Sequence, residues 1–257
     1  MAGTKPTILL TGATGQVGGQ LLRSLAGFGE IVAPSRAQMD LAQPESVREW
    51  IRSIRPRWIL NPGAYTAVDK AESEADIAYA VNETTVGVIG EEAQKIGAAV
   101  VHFSTDYVFA GVGTEPYVET DETGPTSVYG ASKLAGERAL VASGAVHLIF
   151  RTSWVYGSTG KNFLLTIRKL AYERESLRIV ADQYGAPTWS RDLAAMTTAV
   201  IALCEDDAAS RNQSIADVVA KVSGIYHATG TGVTTWYGFA SEAVQRMQEK
   251  DPDVRLA

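Results

Sequence analysis

Apolar residues along this chain fall in short unbroken runs, separated by longer stretches where they recur every three or four positions. Thr7-Ile8-Leu9-Leu10-Thr11 predicts a first strand, residues 16–26 a helix, and residues 30–33 a second strand. Residues 44–54 predict another helix: Pro44 suits a first turn, and Val47, Trp50, Ile51 and Ile54 share one face. Trp58-Ile59-Leu60-Asn61 predicts a third strand, and residues 75–96 one long helix that Gly87 and Gly90 weaken in its middle. Residues 100–104, 148–152 and 177–180 predict further strands, with helices between them. Unbroken apolar strands alternating with amphipathic helices imply an α/β fold, a parallel sheet covered on both faces.

Beyond about Phe163 the alternation loosens, and segments such as 182–188 read as shaped loops. The expected division is a first domain over residues 1–162, to which later segments return, and a smaller C-terminal lobe made mainly by 163–257. A chain of 257 residues can bury one large core with a satellite. Its 46% hydrophobic and 20% charged residues exclude a disordered chain. A net charge of −6 argues against a nucleic-acid partner. The lone cysteine, Cys204, cannot form an internal disulfide, which suits a reducing cytoplasm. No apolar run approaches the ~18 residues of a membrane span, and residues 1–6 lack the apolar core of a signal peptide. His102, His147 and His227 each sit in a short apolar run and read as core histidines rather than metal ligands.

The first strand leads into Gly12-Ala13-Thr14-Gly15-Gln16-Val17-Gly18. Glycines at this spacing allow a tight turn, close approach to a pyrophosphate and close helix–sheet packing, and the helix that follows aims free N–H groups at phosphate. Its place between strand and helix points to a dinucleotide and to a Rossmann-like, doubly wound sheet. After the second strand come Ser35 and Arg36, a hydroxyl and a guanidinium suited to a 2′-phosphate; NADPH is expected, with NADH as the alternative. The other reading of Arg36 is a solvated surface side chain. Asp40 and Leu41 are placed to border the adenine, and Gly63, Ala64 and Tyr65 lie where the third strand faces the dinucleotide.

Tyr129-Gly130-Ala131-Ser132-Lys133 puts a phenol and an ammonium on one helix face. A free tyrosine has a pKa of about 10. The expectation is that Lys133 lowers it and makes Tyr129 a general acid, while also binding the nicotinamide ribose. The fourth strand ends in Ser104-Thr105-Asp106, and a hydroxyl there can polarise a substrate carbonyl together with the tyrosine.

The motifs at 12–18, 66–72, 104–109, 128–137, 151–157 and 182–188 resemble the dTDP-4-dehydrorhamnose reductase family over nearly the whole chain. The resemblance implies reduction of the C4 ketone of a dTDP-linked 6-deoxy sugar to dTDP-L-rhamnose. It implies Thr105, Tyr129 and Lys133 as catalytic residues, and Gly15, Gln16, Val17, Gly63, Ala64 and Tyr65 as lining for the cofactor. Asp106 and Trp154 would contact the sugar nucleotide; their plainer readings are a turn cap and a core tryptophan. Some members of the family bind a divalent ion through an acidic residue just after the glycine loop. Gln20 stands there, so no metal is expected, and the partnership is left as monomer or homodimer. The resemblance also implies that part of the second lobe lies beyond Ala257. Two alternatives share the same residues: a nucleotide-sugar epimerase or dehydratase, and a non-catalytic subunit that binds NADP for regulation.

Overall fold

Side chains along the central strands are buried at every position and point in turn to the two faces of one sheet. The computed structural model describes residues 5–256. Its strands are β1 (Thr7–Leu10), β2 (Glu30–Val32), β3 (Trp58–Asn61), β4 (Ala99–Thr105), β5 (His147–Thr152), β6 (Val155–Tyr156), β7 (Tyr184–Gly185), β8 (Thr188–Trp189), β9 (Gly224–His227) and β10 (Thr234–Thr235). The helices are α1 (Gln16–Ser24), α2 (Pro44–Ile54), α3 (Val68–Ala71), α4 (Ala75–Tyr79), α5 (Thr85–Ile96), α6 (Val128–Ala142), α7 (Phe163–Glu173), α8 (Ser190–Arg211), α9 (Ile215–Ala220) and α10 (Trp236–Gln248).

Six parallel strands form the central sheet in the order β2-β1-β3-β4-β5-β9. Ile8, Leu10, Trp58, Leu60, Val101 and Phe150 face α1, α8 and α9, meeting Leu21, Ile201 and Val219. Leu9, Ile59, Val100 and Ile149 point the other way, onto Val47, Ile51, Ile89 and Leu140 of α2, α5 and α6. Helices on both faces satisfy the doubly wound arrangement. Because β2 and β3 flank β1 on opposite sides, the connections diverge there and leave a crevice outside the strands' carboxyl ends.

Two expectations need correction. The helix over 75–96 is two helices joined by a π turn at Ala80–Thr84, so the break lies before the glycines. Gly87 and Gly90 sit inside α5 for packing: a Cβ on Gly90 would come within 2.8 Å of Ser143 Cβ on the neighbouring turn after α6. Residues 177–180 form no strand and join no sheet. Leu177 and Ile179 instead pack into a small second core with Ile167, Ala171, Ala240 and Val244, and Val180 only accepts a hydrogen bond from the Tyr237 N–H. The sixth sheet strand is β9, from the chain's last quarter. Thus α8, α9 and β9 belong to the layers around the sheet, while α7 and α10 enclose the second core. No described helix is long and apolar enough to cross a membrane.

Candidate active site

The glycine loop is shaped by contacts that no side chain would permit. Gly12 has a positive φ of 56°, and a Cβ there would lie 2.7 Å from Gly63 Cα across the β1–β3 crevice. A Cβ on Gly18 would collide with the Gly12 carbonyl oxygen, which accepts the Gly15 N–H at 2.9 Å. Gly15 caps α1 without a side-chain bond, which leaves the first-turn N–H groups for a ligand. Gln16, the first helical residue, reaches into the second part of the chain: its Nε2 donates to the Val155 carbonyl at 3.3 Å, and its Oε1 accepts from Asn162 Nδ2 at 2.8 Å.

A cavity of about 1030 Å³ opens along this crevice. Gly12, Gly15, Gln16, Val17, Ser35, Arg36, Asp40, Leu41, Gly63, Ala64 and Tyr65 line it, and so do Thr105, Asp106, Tyr129, Lys133 and Trp154. At its rim the Arg36 side chain is 81% exposed and pairs with Asp40 Oδ2 at 3.5 Å. The Ser35 hydroxyl donates to Gln38 Oε1, and Asp40 Oδ1 accepts the Ala42 N–H, so Asp40 also braces its own loop. Tyr65 is clamped from both sides. Its N–H donates to Asn82 Oδ1 at 2.9 Å, its carbonyl accepts from Asn82 Nδ2 at 3.0 Å, and its hydroxyl donates to Glu74 at 2.5 Å. The π turn is what brings Asn82 into this position, and Gly136 on α6 makes room for its carbonyl.

Tyr129 and Lys133 lie in the first turns of α6, whose N-cap Ser127 accepts the Gly130 N–H. The expected lowering of the Tyr129 pKa by Lys133 is not found. Burial pushes the phenol up to about 12, opposed only in part by the Thr105 hydroxyl. Lys133, 2% exposed, instead donates to the Phe103 carbonyl at 2.6 Å and lies 3.3 Å from His102 Nε2. Burial brings its amine down to about 8, against the attraction of Glu137. Thr105 donates to Asp106 Oδ1 at 3.0 Å and accepts the Tyr107 N–H at 3.2 Å; burial raises the Asp106 carboxyl.

Trp154 borders the cavity with its backbone in the left-handed region at φ 46°. Its indole stacks on Trp236, with ring centroids 3.6 Å apart, and Gly185 lets the chain pass close to the ring. One face is therefore already covered by protein.

The chain matches the RmlD substrate binding domain family over residues 6–256. A dTDP-4-dehydrorhamnose reductase of Burkholderia thailandensis is 46% identical, the match covering 92% of this chain and 77% of that protein. One from Escherichia coli K12 is 48% identical over 91% of this chain and 76% of its own length. The chain belongs to the dTDP-4-dehydrorhamnose reductase family. The crystal structure of the Bacillus anthracis enzyme of that name, in complex with NADP, superposes with a TM-score of 0.85 at 33% identity, covering 99% of this chain and 83% of that one.

His102 is a core histidine as read, but sequence reasoning missed that it belongs to a set of buried polar residues behind this family's site, with Thr11, Asn61, Asn82 and Ser132. A signal was present in two strands. Asn61 ends an otherwise apolar run and His102 interrupts another, and the two are direct partners in the β3–β4 register. His147 and His227 lie apart from this set: His147 Nδ1 meets the Ala145 carbonyl, while His227 Nε2 is buried without a partner among the described residues.

Proposed function

We propose that this chain is an NADPH-dependent reductase that converts the C4 ketone of dTDP-4-dehydro-6-deoxy-L-mannose (dTDP-6-deoxy-L-lyxo-4-hexulose) into dTDP-L-rhamnose. One observation carries the reading: in a chain of this family, Thr105, Tyr129 and Lys133 share a cavity with the glycine loop. The cradle fits a dinucleotide, because the Gly12–Gly63 approach and the uncapped α1 N-terminus leave space and donors where a pyrophosphate belongs.

Gly12, Gly15, Gln16 and Val17 hold the pyrophosphate, Ser35 and Arg36 the 2′-phosphate, and Asp40 and Leu41 border the adenine. Gly63, Ala64 and Tyr65 line the middle of the cofactor. When bound, NADPH supplies the hydride. Thr105 and Tyr129 flank the ketone oxygen, and Tyr129 gives it a proton. A phenol at about 12 serves this direction well: it stays protonated at neutral pH and is still far more acidic than the alcohol formed. Lys133 anchors the nicotinamide ribose, and Asp106 and Trp154 position the sugar. Residues 1–162 supply the dinucleotide domain, joined by α8, α9 and β9, and the rest of 163–257 supplies the substrate lobe. The packing of those three elements against the sheet supports that division. A cytoplasmic, metal-free monomer or homodimer completes the reading.

Asp106 beside Thr105 favours a second reading, an epimerase or dehydratase of the same superfamily, since a carboxyl raised by burial is an acid at the reacting end. A non-catalytic subunit that merely binds NADP has the intact Thr105–Tyr129–Lys133 set against it. The purified protein distinguishes the readings by its nucleotide: a reductase exchanges NADPH freely, and retained NAD⁺ that survives gel filtration overturns the proposal in favour of the second reading.

A further inference from the structure

Behind the glycine loop runs an unbroken line of buried polar groups. The Gly63 N–H donates to Thr11 Oγ1 at 3.0 Å, and Thr11 donates to Asn61 Oδ1 at 2.7 Å. Asn61 Nδ2 lies 3.0 Å from His102 Nδ1, and His102 Nε2 lies 3.3 Å from Lys133 Nζ, which donates to the Phe103 carbonyl. Thr11, Asn61, His102 and Lys133 are all at most 2% exposed.

The direction of each bond follows from the donors and acceptors available. Thr11 already accepts from Gly63, so its own proton needs an acceptor, and Asn61 Oδ1 is the one within reach. Reversing the Asn61 amide would leave that buried hydroxyl proton without a partner, a cost of about 1–3 kcal/mol. The amide nitrogen therefore faces His102 and donates to Nδ1. Burial holds the imidazole well below its ordinary pKa, so it is neutral, and with Nδ1 accepting from Asn61 its single proton is on Nε2. That N–H faces Lys133. An ammonium has three donors and no acceptor, whereas a neutral amine can accept from His102 and still donate to Phe103.

We propose that His102 is a positioning residue that favours the neutral amine of Lys133 in the empty protein, and that in alkaline solution entry of the dinucleotide is coupled to uptake of a proton from solvent onto Nζ. The Lys133 lone pair then binds the proton. The resulting ammonium gives up its contact with His102, keeps the Phe103 carbonyl and turns its other donors to ribose oxygens. The coupling rests on the reading that NADPH fills the crevice; the state of Lys133 in the empty protein does not. The charged and titratable groups around the pair are Tyr129 and Glu137 on α6, His147 and Arg151 on β5, and Asp106 after β4. Glu137 is engaged by Arg151 and Ser104, so it is committed elsewhere. Burial, which lowers the Lys133 amine to about 8 against the attraction of Glu137, acts in the same direction as the His102 contact.

Two measurements test this. With lysine-labelled protein, NMR titration of the empty wild type should show Lys133 changing charge near pH 8, and H102Q, whose amide oxygen can accept from an ammonium, should move it upward, still short of ~10.4 because burial remains. A wild-type midpoint at the ordinary lysine value, or an H102Q midpoint that does not move, overturns the role of His102. Calorimetry of NADPH binding at pH 9, in buffers of different ionisation enthalpy, should show uptake of about 0.9 proton per site in the wild type and none in K133R. NADPH binding without proton uptake overturns the coupling. Absence of NADPH binding overturns the cofactor reading, and with it the coupling, while the NMR result still decides the charge state of Lys133.

Discussion

Lys133 donates to the main-chain carbonyl of Phe103 at 2.6 Å, and this bond ties the α6 side chain to the strand that ends in Thr105. Tyr129, one turn earlier, is thereby left to its own surroundings, and burial keeps its phenol protonated up to about pH 12. Removing the transferable proton while keeping the ring should therefore abolish most turnover. In Tyr129→Phe, kcat should fall by at least ~10², with little change in NADPH affinity. Near wild-type kcat would show that another group donates the proton.

The two pKa values assign any alkaline loss of activity. Lys133 stands at about 8, below its ordinary value, so its charge is complete well below pH 7 and disappears as the pH rises through 8. The Tyr129 phenol remains intact throughout that range. The profile of kcat/KM for NADPH should fall above about pH 8, and the residual activity of Tyr129→Phe should show the same limb. A limb that disappears with the phenol would contradict the assignment.

Arg36, 81% exposed at the cavity rim, has only Asp40 to hold it among the described residues. Arg36→Ala should weaken NADPH by about 1.5 kcal/mol, roughly tenfold, and leave NADH nearly unchanged. Titration of both cofactors into both proteins gives the comparison. Equal losses would make Arg36 a residue of the fold and not of the 2′-phosphate.

Arg151 and Glu137 form a buried pair at 2.7 Å, with Arg151 only 4% exposed. Arg151→Met leaves a buried carboxylate unpaired and should cost about 3–5 kcal/mol in denaturant unfolding. A loss under 1 kcal/mol would mean that water reaches Glu137 freely.

Much of the sheet was legible because its strands are buried on both faces, and Ile8-Leu9-Leu10 or Trp58-Ile59-Leu60 has no other stable setting. β9 was not legible: Gly224-Ile225-Tyr226-His227 is a short edge strand with a glycine and two polar-tipped rings, and position, not composition, places it in the sheet. Leu177 and Ile179 alternate as a strand would, yet the alternation serves a helix pair. The π turn was hidden because the apolar pattern continues through it; its reason is Asn82 clamping Tyr65, a contact across sequence. In the site, glycine spacing and the tyrosine–lysine interval were readable because local geometry fixes them. The direction of the pKa shift at Tyr129 was not, since it depends on what surrounds α6. The Trp154–Trp236 stack joins residues 82 positions apart, beyond the reach of any local pattern.

The most direct test is turnover of a dTDP-linked 4-keto-6-deoxyhexose by the protein with NADPH, following absorbance and the sugar product together, beside UDP- and GDP-linked 4-keto sugars. The account predicts one NADPH oxidised for each dTDP-L-rhamnose formed, with loss of both in Tyr129→Phe. Sugar conversion without NADPH oxidation, or no NADPH oxidation with any of these substrates, would contradict it.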